Sequence, residues 1–364
     1  MTKNQQNTWM KLALKLAEKG RYSCSPNPMV GAVVIANEKI IGEGYHKFAG
    51  EPHAEIYAIN DAKDKTKGAT IIVTLEPCST HGRTPPCTKA IIKAGIKRVI
   101  IGTIDPNPAH SGKGITILKE AGIEVKVLND PECEKLNERF NHFISTGLPF
   151  IHAKWAMTLD GKIATHTGNS KWISCSESRK FVHKLRAEHD AIMTGSGTVL
   201  EDDPQLNVRL EGTWRQPVKI IIDSQLQTPL TAKILKSGAK TIIVCGKNAD
   251  EEKMRQLENA DARIIIIPTG SKNKIILTEL FKKLAAENIS SVFVEGGNSL
   301  LGALLDNSLI NKVTVFIAPK IIGGKNSLSP IGGTGIDKIA TAVQLDELQF
   351  EKIDRDIMLT GKVT

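Results

Sequence analysis

HAEIYAIN at residues 53–60 and ATIIVTLEPCSTHGRTPPC at 69–87 place His53, Glu55, Cys78 and Cys87 within thirty-five positions of one another. Ala69 to Leu75 is an apolar run of the kind that forms a buried strand, and its carboxyl end delivers Glu76, Pro77 and Cys78. His53 stands where a helix begins. One imidazole and two thiolates suit Zn2+ and leave its fourth tetrahedral corner to water, which marks a catalytic rather than a structural site. Glu55, two residues past the histidine, is too close to be a convenient further ligand yet well placed to exchange protons with that water. The bland alternative is a structural knuckle, which takes four Cys or His ligands. Within the loop only His81 is available as a fourth.

Working outward, residues 7–19 carry Trp9, Leu12, Leu16 and Ala17 at helical spacing. The apolar runs Val30–Ile35 and Ile40–Tyr45 flank an Asn-Glu turn and predict a hairpin. Asn27, held between two prolines ahead of the first strand, could aim its amide at a ligand, or could be turn punctuation. After Cys87 the pattern predicts helix 88–94, strand 98–102, helix 114–121 and strand 124–128, an alternation that argues a three-layer α/β domain. Two loops stand beside the metal-ligand pattern. Arg83 could grip a phosphate through its planar fork, and Asp105 and Asn107 follow a strand end, the usual place for ligand contacts in α/β folds. The spacing then predicts a helix over 131–148, stopped by Gly147 and Pro149. The domain boundary therefore falls near 149, giving domains 1–148 and 149–364.

The second part has its own α/β alternation, with strands expected at 150–157, 191–194, 218–223, 241–245, 264–268, 291–295 and 312–318. No G-x-G-x-x-G with an acidic residue about 20 positions on is present, so a standard Rossmann fingerprint is absent. VEGGNSLLG (294–302) instead ends a strand on Glu295 and opens a helix with paired glycines, where backbone N–H groups could meet a dinucleotide's phosphates. The formal charge is +9, but aromatics are only 4%. Without an aromatic-rich basic ribbon, that surplus favours small phosphorylated ligands over nucleic acid. The N-terminal residues show no long apolar run and no cleavage signal, so nothing points to a membrane. Six scattered cysteines in a chain of 364 residues argue against a disulfide framework and for the cytoplasm.

His-x-Glu followed by Pro-Cys is the arrangement of the zinc nucleobase deaminases, except that eight residues, not two, separate the cysteines. In order, HAEIYAI, LEPCSTHGRTPPC, TIDPNP, MTLDGKIA, WIS, LRAEHDAIMTGSGTVLEDDPQL and VEGGNSLLGALL resemble the bifunctional deaminase and reductase family of riboflavin biosynthesis across nearly the whole chain. The resemblance implies a cytidine-deaminase-like domain followed by a dihydrofolate-reductase-like one. It also implies two successive reactions on a phosphorylated pyrimidine nucleotide. The first is hydrolytic deamination with His53, Cys78 and Cys87 on zinc and Glu55 as proton carrier. The second is reduction of the opened ribose by NADPH. By the same resemblance Asn27 contacts the pyrimidine, while Arg83 with His46, Asp105 or Asn107 addresses sugar and phosphate. In the second half, Ala156, Trp172, Thr198, Asp202, Ser224 and the run Gly297, Asn298, Ser299, Leu300, Leu301, Gly302 and Ala303 match the family's NADPH positions. Ser170, Arg186, Leu206, Arg209 and Glu295 match its substrate positions, the two arginines suiting the 5′-phosphate. Lys154, on the first strand, could protonate the sugar oxygen. Asp160 fits a hairpin turn as readily as a site loop. Relatives suggest a homodimer through the reductase halves.

Two other functions share parts of this pattern. A deaminase of tRNA or free cytidine with an accessory domain shares the zinc chemistry but needs base-stacking aromatics, and between Asn27 and Cys87 there are only Tyr45, Phe48 and Tyr57. A zinc-stabilised nucleic-acid binder would bind in a salt-sensitive way and would not need Glu55.

Overall fold

A computed structural model describes residues 2–81 and 85–364, the Lys272 side chain excepted. The chain divides into two compact units, Met1–Leu148 and Pro149–Thr364.

The first unit is a five-stranded sheet of β1 (Gly31–Ala36), β2 (Lys39–Tyr45), β3 (Thr70–Leu75), β4 (Arg98–Thr103) and β5 (Glu124–Val127), in the order β2-β1-β3-β4-β5. β1 runs antiparallel to both its neighbours, and β3, β4 and β5 are mutually parallel. Asn37 and Glu38 both take left-handed backbone, the geometry that matches a tight hairpin to strand twist. Both faces of β1, β3 and β4 are covered, which is why these three strands read as continuous apolar runs. Val33, Ile35, Ile72 and Ile100 meet Met10, Ala13 and Leu16 of the helix Lys3–Ala17. Ala32, Val34, Ile71, Val73, Val99 and Ile101 pack on the opposite side with Ala54, Ala58, Ile91 and Leu118. Those four belong to the helices Ala54–Ala62, Cys87–Lys93 and Lys113–Glu120.

Gly42 and Gly44 on β2 let the helix Ala54–Ala62 lie directly on the strand: a Cβ there would stand 2.2 Å from the Ala58 carbonyl or 2.3 Å from that of Ala54. The helix expected over 131–148 is instead two, Pro131–Leu136 and Glu138–Thr146. Asn137 interrupts it, because its buried amide donates to the Met29 carbonyl at 2.9 Å and accepts from the Met29 N–H at 2.8 Å. A side chain tied to a distant backbone in this way competes with the helical ladder.

In the second unit the strands are β6 (Phe150–Thr158), β7 (Ala191–Gly195), β8 (Val218–Ile222), β9 (Thr241–Cys245), β10 (Ala262–Ile266), β11 (Ser291–Val294), β12 (Lys312–Ala318), β13 (Leu345–Ile353) and β14 (Asp356–Val363). They form one sheet in the order β10-β9-β8-β7-β11-β6-β12-β14-β13. The strands from β10 to β12 are parallel, and the hairpin β13–β14 adds antiparallel to β12. That hairpin was not among the strands expected from the sequence, and β10 lies two residues earlier than expected. Ile192, Ile221, Ile243, Phe293 and Phe316 are central to the core. No helix among the described residues is long and apolar enough to cross a membrane.

Candidate active sites

His53 is the residue before the first turn of the helix Ala54–Ala62, and Cys87 opens the helix Cys87–Lys93. Cys78 follows β3 after Glu76 and Pro77. These three positions bring His53 Nδ1 and the two Sγ atoms within 4.8 Å of one another. Nδ1 lies 3.2 Å from Cys87 Sγ and 3.5 Å from Cys78 Sγ, and the Cys87 N–H donates to Cys78 Sγ at 3.3 Å. The Cys87 thiol, with help from the His53 ring and against burial, holds the Cys78 thiol well below its ordinary value, which favours the thiolate form that binds metal. Three donors of this softness at this spacing fit zinc. Among the described residues no fourth donor joins them, and His81 is exposed and apart.

Glu55 sits in the first turn of the His53 helix with 3% of its surface exposed. Burial pushes its carboxyl up to about 7, against the pull of the His53 ring. A carboxyl that takes and gives a proton near neutrality is what general acid–base chemistry requires.

Around this centre, His46 is buried and packs edge-on to His53 with ring centroids 5.3 Å apart. Its Nδ1 lies 3.2 Å from the Pro52 carbonyl. A carbonyl only accepts, so Nδ1 carries the proton and Nε2 accepts from the Asn27 amide at 3.0 Å. Asp105 is buried, which raises its carboxyl, and accepts the Asn107 N–H at 2.9 Å. Asn107 Oδ1 accepts the Ala109 N–H at 3.0 Å. Arg83 lies outside the described residues.

The second unit holds a cleft of about 1720 Å³ lined by Lys154, Ala156, Ser170, Trp172, Arg186, Thr198, Asp202, Leu206, Arg209, Ser224 and Glu295. From the 297–303 run it takes every residue except Gly302. A Cβ on Gly302 would fall 2.3 Å from the Gly332 backbone, so only glycine fits there. Gly297 precedes the helix Asn298–Asp306 in extended backbone, so the free N–H groups of that helix start face the same cleft.

At the strand end, Glu295 accepts from Lys154 Nζ at 3.4 Å and from two nitrogens of Arg186, Nη2 at 3.1 Å. Burial opposes its charge, yet Arg186 and then Lys154 hold the carboxyl at about 2. Arg186 also gives Nη1 to the Asn207 carbonyl at 2.9 Å. Its guanidinium is thus held in place by protein groups while it lines the cleft. Arg209 Nη1 donates to Asn207 Oδ1 at 2.6 Å.

His183, not singled out from the sequence, also lines the cleft. Burial and the two neighbouring arginines hold it down to about 4, so it is a neutral imidazole. Only its position three residues before Arg186, on the same helix face, could have drawn attention to it. Asp160 accepts from the Thr158 hydroxyl at 2.6 Å and from the Gly323 N–H at 2.7 Å. This is a loop clasp, and Asp160 is not among the cleft-lining residues.

Comparison with known proteins matches residues 3–103 to the cytidine and deoxycytidylate deaminase zinc-binding region and residues 149–359 to the RibD C-terminal domain. The riboflavin biosynthesis protein RibD of Aquifex aeolicus is 45% identical over 364 residues, covering 100% of this chain and 99% of its own. The protein of the same name from Escherichia coli is 40% identical, with 98% of each covered. Among solved structures, Acinetobacter baumannii RibD superposes with a TM-score of 0.88 at 36% identity, covering 99% of both chains. A Thermotoga maritima diaminohydroxyphosphoribosylaminopyrimidine deaminase/5-amino-6-(5-phosphoribosylamino)uracil reductase gives 0.85 at 36% identity, again over 99% of both.

Proposed function

Because the chain belongs to the RibD family of riboflavin biosynthesis proteins, we propose that its two units act in turn on one phosphorylated pyrimidine nucleotide. The chain is a bifunctional riboflavin biosynthesis enzyme, a zinc-binding deaminase fused to a reductase. The first unit hydrolyses the ring amine of 2,5-diamino-6-ribosylamino-4(3H)-pyrimidinone 5′-phosphate and releases ammonia. The second reduces the ribosyl side chain to ribityl with NADPH. The observation that carries this reading is the convergence of His53, Cys78 and Cys87, with Glu55 buried two residues from the histidine.

His53, Cys78 and Cys87 would hold a zinc ion, whose chemistry there would be to lower the pKa of a water toward neutrality. Glu55 would carry one proton from the attacking water to the ring nitrogen and then a second, from the hydroxyl now on the ring carbon, to the departing amine, which leaves as ammonia. His46 fixes the Asn27 amide, which addresses the pyrimidine, while Asp105 and Asn107 address sugar and phosphate.

In the cleft NADPH supplies the hydride. Thr198, Ser224 and the helix start at Gly297 bind the cofactor's phosphates and ribose. Lys154, held by Glu295, gives the proton to the sugar oxygen. Arg186 and Arg209 take the 5′-phosphate. The zinc-loaded chain, given the diaminopyrimidine nucleotide and NADPH, is expected to release ammonia first and then consume the reduced nicotinamide. Absence of ammonia with zinc present would sink the assignment.

The reductase unit pairs with a second copy of itself. On its edge strand β13, Phe350 is 83% and Leu348 55% exposed, and Ile339 nearby is 92% exposed. An unpaired edge with bare apolar side chains is unstable in isolation against association. Phe350→Asp is expected to halve the mass seen by light scattering, with reductase folding kept. An unchanged mass would place the dimer contact elsewhere.

A further inference from the structure

We propose that Glu76 is a positioning residue of the deaminase: its buried carboxylate clasps both ends of the 105–112 loop to the strand end that carries Cys78. Glu76 is 4% exposed. Its Oε2 accepts the Asp105 N–H at 3.3 Å, where the loop begins, and the Gly112 N–H at 3.0 Å, where it ends. Its Oε1 accepts the Ile115 N–H at 3.2 Å, inside the first turn of the helix Lys113–Glu120. Its own N–H donates to the Thr103 carbonyl at the end of β4.

Among the described residues no cation pairs with this carboxylate. Its charge is balanced by three backbone N–H groups, two of them at a helix start, where the backbone dipoles favour an anion. The loop and the strand end are also in direct contact: a Cβ on Gly114 would lie 2.2 Å from the Pro77 carbonyl. Only Pro77, with its fixed φ, separates the clasp from Cys78. The position of Asp105 and Asn107 relative to the metal ligands is therefore set by one side chain that touches neither metal nor nucleotide.

This inference rests on the deaminase reading and on Asp105 and Asn107 as nucleotide contacts. In Glu76→Gln an NH2 group replaces one acceptor and faces backbone donors, so at least one N–H loses its partner. The Michaelis constant for the diaminopyrimidine nucleotide in the ammonia-release assay is expected to rise about tenfold, with kcat within about threefold. Zinc content should be unchanged, and reduction of the deaminated nucleotide by the same chain should be unchanged as well. Gly114→Ala, which presses the helix start away from Pro77, should give the same split and decides the matter if the glutamine variant does not fold.

A normal Michaelis constant in either folded variant overturns the proposal, as does loss of zinc or a fall in kcat alone, since those would place Glu76 with the metal or the chemistry. Failure of the unaltered zinc-loaded chain to release ammonia would remove the deaminase reading itself, and this inference with it.

Discussion

Glu55→Gln is expected to lower kcat for ammonia release by about 10²–10⁴, the span that a positioned proton carrier contributes. The amide matches the carboxyl in volume, so the 3% exposed site keeps its packing. It cannot, however, take either of the two protons that the reaction moves. His53, Cys78 and Cys87 remain, so metal analysis should find zinc undiminished, and the reductase assay should be unaffected because its cleft belongs to the other unit. The pattern of lost turnover with zinc retained separates a proton carrier from a metal ligand. A variant that still deaminates at the ordinary rate would remove Glu55 from the mechanism. One that loses its zinc would make it a ligand.

The second large effect is on stability. Arg186→Met removes the main partner of a carboxylate whose side chain is only 10% exposed, and stranding a buried charge costs about 3–5 kcal/mol. The loss should appear in the melting of the reductase unit. Combining it with Glu295→Gln should recover part of the loss, because the stranded charge is then gone.

Acid gives a second reading of the same contact. The Glu295 carboxyl titrates at about 2 when folded against an ordinary 4.5, so between those values the unfolded chain binds the extra proton. The contribution, on the order of 3 kcal/mol, is complete above about pH 4.5 and fades as the pH falls toward 2. In Arg186→Met this pH-dependent contribution is absent, so the stability deficit of the variant should narrow as the pH falls from about 4.5 toward 2. Unchanged melting and unchanged acid unfolding would show the pair to be energetically idle.

What the sequence made legible were features in which several residues answer to one local rule. The strand run 70–75 reads as buried because both sheet faces are covered. The Asn37-Glu38 turn reads as a hairpin because its flanking runs alternate around it. The metal triad reads as a zinc site from residue type and spacing, and most of the residues named by family resemblance in the second half line the cleft.

The parts that did not read depend on partners far along the chain. Asn137 breaks its helix through Met29, 108 positions away. The pairing of Arg186 with Glu295 spans 109 positions and has no local signature. β13 escaped because seven of its nine residues are exposed, which removes the apolar signal. Its register also shifts between Asp346 and Gln349, with Glu347 in left-handed backbone.

The hairpin β13–β14 has a consequence for biogenesis. Asp356, wholly buried, accepts the Cys175 N–H and the Ser178 hydroxyl, each at 2.7 Å, and so holds the start of a helix made some 180 residues earlier. Met358 enters the same core as Phe293 and Phe316. The deaminase sheet has all its strands once residue 127 is synthesised, so it can form on the ribosome while translation continues. The reductase sheet lacks a strand until residue 363 has cleared the exit tunnel. Until then β12 presents a bare edge, so a shortened nascent chain would carry a folded deaminase unit beside an incomplete reductase sheet.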